Sequence, residues 1–390
     1  MDYGRICINS IGPSLLLAPS RARLICTVIG AAMIAGCVST PTADEMLQLP
    51  APHMLPEAPE HITDERARFR DYFCRELSAN ALDESTSCAD WLHHLPDESE
   101  YIPSDMPART HVQALFVTGA FSECFGETAR PFASAIENLA TTGDEFGTIV
   151  VGGRSGPDHN AVQIADFMES WKRDADKPLV LFGYSKGIND VLEFLVDYPQ
   201  VAANVSAVVS VAGSVSGSRL ADRFDSIYEV LFSHLPSSHC EQGDGDVVHS
   251  LRTEEREAFL VDNPLPAHIR YYSIVAFTTR ERMARALVPA WEILLDDSRR
   301  NDGQLVPVHA LLPNSSLLGY LNADHWAVAM RLELDHGFIA DRPDERPFPQ
   351  TVLLKAILRL VGEDLANSPA ALPGTSENVR LHRSVQDPPR

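Results

Sequence analysis

Metal and redox frameworks are missing from this 390-residue sequence: it has no Cys-x-x-Cys pair and no His-Glu-x-x-His, so spacing offers no metal centre. Positive charge is scarce. Lys and Arg number 32 against 54 Asp and Glu, a formal charge of −22, so a polyanion would be repelled over most of the surface. Nucleic-acid binding is excluded as a primary role. Runs long enough for several membrane spans are absent too, while a hydrophobic content of 45% supplies a sizeable core and excludes a disordered or collagen-like chain.

The N-terminus reads as an address. Arg21 and Arg23 precede an apolar run, Leu24 to Gly36, too short to span a bilayer with comfort but suited to a secretory h-region. A plain transmembrane anchor is the alternative. The run ends in Ile34-Ala35-Gly36-Cys37, which resembles the bacterial lipobox; the resemblance implies lipid modification of Cys37 and anchoring in the cell envelope. Val38 after the Cys favours, by the same analogy, the outer membrane and its periplasmic face in a Gram-negative host. In an oxidising compartment Cys74, Cys88, Cys124 and Cys240 suggest up to two disulfides. Cys74–Cys88 is the economical local pair, leaving Cys124–Cys240; four buried free thiols are the alternative.

The organisation expected is a signal peptide over 1–36, a Pro-rich tether over 37–60, a helical extension over 61–110, a catalytic-type domain over 111–362 and a mobile tail over 363–390. Thr63 is expected to cap a helix. Short apolar runs begin at Val112, Thr148, Leu179, Val205, Ile269 and Ser316. They alternate with amphipathic stretches such as Ala161 to Trp171, Ile188 to Val196 and Val352 to Leu360. Near-continuous Val, Leu, Ile and Phe fits parallel strands buried on both faces, and the alternation implies an open α/β sheet flanked by helices. Two insertions, 214–268 and 278–300, follow strands on the ligand side of such a sheet. The first has an amphipathic piece at 227–235, and the second reads as one helix bearing Met283, Leu287, Trp291, Leu294 and Leu295. They would cover a substrate pocket or serve as plain loops.

Gly183-Tyr184-Ser185-Lys186-Gly187 is the most informative stretch, because an apolar strand leads in and an amphipathic helix leads out. Such a strand-to-helix turn strains the Ser backbone and lifts its hydroxyl above the helix N-terminus. The hydroxyl needs a base, and the base an orienting acid. His325, in Asn322-Ala-Asp-His-Trp326, sits just past the last expected strand, with His309 as runner-up. Asp302 lies in the Asn301-Asp302-Gly303 turn; Asp296 and Asp297 compete but read as the solvated end of a helix.

The set Gly183–Gly187, Asn301-Asp302-Gly303 and Asp324-His325 resembles the triad of the α/β-hydrolase superfamily, in particular its bacterial lipase and esterase branch, over about 112–361. The resemblance implies the α/β-hydrolase fold, with Ser185, His325 and Asp302 hydrolysing a small-molecule or lipid ester without metal or organic cofactor. It further implies an oxyanion hole from the N–H of Lys186 and of Ala120 or Phe121. Thr118 stands where that branch usually has His, and the Lys186 side chain is expected in solvent. Thioester, polyester and peptide bonds suit the same triad. A different class is a non-catalytic envelope lipoprotein using the scaffold as a binding module. Three features receive plain structural readings. Gly152–Pro157 lacks a phosphate-loop ending, His93-His94 reads as surface helix, and Gly243–Asp246 lacks calcium-loop spacing.

Overall fold

The expected apolar runs form the strands of one parallel sheet. In the computed structural model, residues 40–80, 87–102, 108–223, 243–332, 340–344 and 346–367 are described. Seven strands pair in the order β1-β7-β6-β5-β4-β2-β3. They are β1 (Thr63–Asp64), β2 (Gln113–Val117), β3 (Glu145–Ile149), β4 (Leu179–Tyr184), β5 (Val205–Val211), β6 (Arg270–Ala276) and β7 (Ser316–Leu321). Every pairing is parallel. The protein therefore has the α/β-hydrolase fold its sequence implied.

Side-chain alternation builds two cores from one set of strands. Ala114, Phe116, Val180, Phe182 and Val209 face the helices Arg66–Asn80, Ala133–Leu139 and Gln350–Ala366. Leu115, Val117, Leu179, Leu181 and Val208 face Pro157–Ser170 and Gly187–Asp197. Phe116 packs on Phe132, Phe146 and Phe182 with ring centroids 5.6, 6.5 and 4.6 Å away. Truncating so central a ring costs about 3–5 kcal/mol in comparable cores.

Strand order also places the site. From β2 the chain steps outward to β3, then returns to β4 on the other side of β2 and runs toward β7. The order thus reverses at the C-terminal ends of β2 and β4, where helices diverge and open sheets hold their ligands.

The chain departs from expectation in four places. Thr63 caps no helix: Thr63 and Asp64 pair with Ser316 and Leu317 on β7, and the helix begins at Arg66, whose N–H donates to Asp64 Oδ1 at 3.1 Å. Residues 40–60 do not stand off as a tether. They form a helix at Ala43–Gln48 that buries Met46, and the Arg300 guanidinium donates to the carbonyls of Met46, Leu49 and Pro50 at 2.8, 2.8 and 2.6 Å. The final helix runs on to Ala366, past the expected start of the tail. The second insertion is not one helix but two single 3₁₀ turns followed by Val288–Leu294. Pro289 explains the break, since its ring forbids a preceding helical turn and is at home in a first one.

Cys74 and Cys88 are joined by a disulfide, with Cα atoms 5.4 Å apart. Cys124 is disulfide-bonded as well. Its expected partner Cys240, the piece at 227–235, Cys37 and the signal segment lie outside the described residues. No described helix is long and apolar enough to cross a membrane.

Candidate active site

Ser185 joins β4 to the helix Gly187–Asp197 with φ of 55°, the left-handed region that costs an L-residue energy. Close packing enforces this turn. A Cβ on Gly183 would meet Ile188 Cα at 2.4 Å, and one on Gly187 would meet Val117 O at 2.6 Å. The Ser185 N–H donates to Val211 O at 3.2 Å, and Ser185 O accepts from Ser214 N at 3.1 Å. The backbone is thus fixed to its neighbours on the β5 side, and Ser185 as a whole is half-buried.

Three residues widely separated along the chain meet here. Ser185 Oγ lies 2.8 Å from His325 Nε2, and His325 Nδ1 lies 2.7 Å from Asp302 Oδ2. Asp302 Oδ1 accepts the N–H groups of Gln304 and Leu305 at 2.9 and 2.7 Å. Asn301 folds that turn by accepting Gly303 N–H at 3.0 Å, with Gly303 at φ of 89°. The imidazole is held by its own backbone too. His325 N–H donates to Asp302 O at 2.8 Å, and Tyr184 Oη donates to His325 O at 2.8 Å. Burial, then the charges of Asp302 and Asp324, push the Tyr184 phenol well above its ordinary range, so it stays a donor.

The other candidates lie elsewhere. His309 sits in a 3₁₀ turn beside a separate groove of about 500 Å³, and burial pushes its pKa down to about 4. Asp297 pairs with Arg223 at 3.0 Å. Asp324, next to His325 in sequence, turns away from the imidazole and binds Arg342 Nε at 2.7 Å and Ala284 N–H at 2.8 Å.

The expected oxyanion donors differ in what they already bind. The N–H groups of Ala120 and Lys186 meet no acceptor among the described residues, whereas the Phe121 N–H donates to Gly153 O at 3.0 Å. Of the two expected β2-loop donors, Phe121 is therefore already engaged. Thr118 fills its unusual place by accepting Val151 N–H on its hydroxyl at 3.2 Å.

Lys186 corrects a further expectation. Its side chain is 1% exposed and its ammonium is bonded to the Asp190 carboxylate, one helical turn on. A buried ammonium needs a partner, which the i,i+4 spacing supplies. Lys186 and Asp190 were legible together as that spacing, a signal the motif reading passed over. His93 is likewise no surface residue. It stacks on Phe277 with centroids 4.0 Å apart, and burial pushes its pKa down to about 3.

A cavity of about 80 Å³ opens beside Ser185 and His325, lined on the first-insertion side by Leu220, Ala221, Val248 and Leu251. The second insertion does not line it; Met283, Leu287 and Trp291 form a core of their own. Among the described residues no Lys, Arg, Asp or Glu lines the cavity. No cluster of described side chains could hold a metal ion.

Among solved structures the chain is similar to the metagenomic carboxyl esterase MGS0156, with 33% identity, coverage of 82% of this chain and 97% of that one, and a TM-score of 0.72. The mature lipase BlEst2 of Bacillus licheniformis shares 19% identity, covering 65% of this chain and 96% of its own, with a TM-score of 0.46. EstA from Clostridium botulinum shares 12% identity over 76% of this chain and 98% of its own, again at 0.46. No family model and no curated protein matches the sequence.

Proposed function

Because the chain belongs to the α/β-hydrolase family of the metagenomic carboxyl esterase and is a serine ester hydrolase, we propose that it cleaves carboxyl esters through an acyl-enzyme on Ser185. Asp302 holds the Nδ1–H of His325, which leaves Nε2 free to accept the hydroxyl proton as Ser185 Oγ attacks the acyl carbon. The negative charge passes to the carbonyl oxygen, where the N–H groups of Ala120 and Lys186 receive it. Collapse of the adduct expels an alkoxide that takes the proton from His325. Water then attacks the acyl-enzyme by the same route and releases the acid.

The observation that carries this reading is the unbroken hydrogen-bonded chain from Asp302 through His325 to Ser185. The uncharged cavity beside it suits the hydrocarbon part of an acyl group. Ser185→Ala is expected to cut hydrolysis of a short-chain nitrophenyl ester by roughly 10⁴-fold or more without lowering the melting temperature. Turnover at the wild-type rate in that variant would overturn the proposal.

We also propose that the enzyme is exported and lipid-anchored through Cys37. The Ile34–Cys37 pattern and the Cys74–Cys88 disulfide support this address. Metabolic labelling with a fatty-acid analogue should mark the protein and lose the mark in Cys37→Ala; equal labelling of that variant would exclude the anchor.

A further inference from the structure

The Gly152-Gly153 turn after β3 has no part in the relay, yet it touches the β2 loop directly and reaches the Lys186 segment through Asn160. On one side the Lys186 ammonium is bonded to Asp190, and Asp190 Oδ2 accepts Asn160 Nδ2–H at 3.0 Å. The same Asn160 amide donates to Gly152 O at 3.0 Å. On the other side Gly153 O accepts the Phe121 N–H at 3.0 Å, one residue past Ala120, and Gly153 N–H donates to the Glu123 carboxylate at 3.0 Å. A Cβ at Gly153 would lie 2.1 Å from Glu123 Oε2 and 2.6 Å from Phe121 N, so the turn and the β2 loop are pressed together.

We infer that Lys186–Asp190–Asn160–Gly152/153 is a buried polar strut that sets the spacing between the two oxyanion N–H groups, with Asn160 and Asp190 as positioning residues. This rests on the acyl-enzyme reading above. Its three side chains are sealed from water: Asn160 and Asp190 are 0% exposed and Lys186 1%. Burial holds the Asp190 carboxyl above its ordinary value, and the ammonium and the amide work against that rise. Bonds among ionised and amide groups in such a setting are directional, and an oxyanion hole demands donors placed to a few tenths of an ångström. A hydrophobic filler would occupy the same volume without fixing a direction. The strut therefore contributes to the transition state rather than to substrate binding.

The test uses the full enzyme and the variants Asn160→Ala, Lys186→Met and their combination, each normalised to active sites titrated with a fluorophosphonate. Each single change should lower kcat by about tenfold or more while KM stays within about twofold, since misplacing an oxyanion donor raises the barrier and spares the ground state. Inhibition by a trifluoromethyl ketone, whose serine adduct carries an oxyanion, should weaken by the same factor as kcat/KM. The double variant should be no slower than the slower single one, because both break one chain of contacts. If Lys186→Met does not fold, Asn160→Ser carries the same comparison. Unchanged kcat in folded variants, a loss confined to KM, or independent multiplying losses would overturn the strut. A wild-type enzyme that hydrolyses no ester, or a Ser185→Ala variant that still does, would overturn the underlying reading instead.

Discussion

The turn at 301–303 and the loop at 322–327 each bury a carboxylate beside His325, yet the two acids have different partners. Asp302 accepts the imidazole and two backbone N–H groups and meets no Lys or Arg among the described residues. Asp324 accepts the N–H groups of Ala284 and Ala327 at 2.8 Å each and is paired with Arg342. One negative charge is left for a histidine that must become positive; the other is neutralised and ties the second insertion to the His325 loop. Adjacency in sequence decided nothing here. Charge compensation did.

Substitution separates these roles. Asp302→Asn should lower kcat by roughly 10⁴-fold with the fold intact, because the amide favours the wrong imidazole tautomer; steady-state ester kinetics and a melting curve check it. Arg342→Leu should act the other way. It leaves a buried carboxylate uncompensated, costing about 3 kcal/mol of stability, while kcat falls less than tenfold in the folded protein. Denaturant titration beside kinetics reads both. Equal kinetic losses in the two variants would abolish the distinction.

A similar contrast holds among the histidines, with a smaller effect. His325 is joined to a carboxylate and a hydroxyl, whereas His93 and His309 are buried with pKa values pushed down to about 3 and about 4. When unfolded, both take up a proton near pH 6.5; when folded, neither does until well below. Their contribution is therefore neutral above pH 6.5 and turns against the fold as pH drops, by about 1 kcal/mol per unit for each. His93→Gln should flatten the fall in stability between pH 6.5 and pH 4, measured by urea unfolding; an unchanged slope would exclude His93 as a source.

The sheet was legible because parallel strands buried on both faces are near-continuously apolar, as Leu179–Phe182 is. The elbow was legible because strand, Gly-x-Ser-x-Gly and helix occur in order. The edge strand Thr63–Asp64 was not: two residues have no period, and only β7 beside them makes them a strand. The segment 40–60 misled through its prolines, since its hold on the body comes from Met46 and from Arg300 more than two hundred residues away. The Phe121 N–H was claimed by Gly153, a contact that β2 and β3 create only by pairing.

The most direct test of the central claim is to locate the covalent bond. Wild-type enzyme treated with a fluorophosphonate, digested and analysed by mass spectrometry should carry one adduct, on Ser185, and should lose esterase activity in proportion to its occupancy. An adduct on another residue that tracks the loss of activity, or full activity with Ser185 modified, would contradict the assignment.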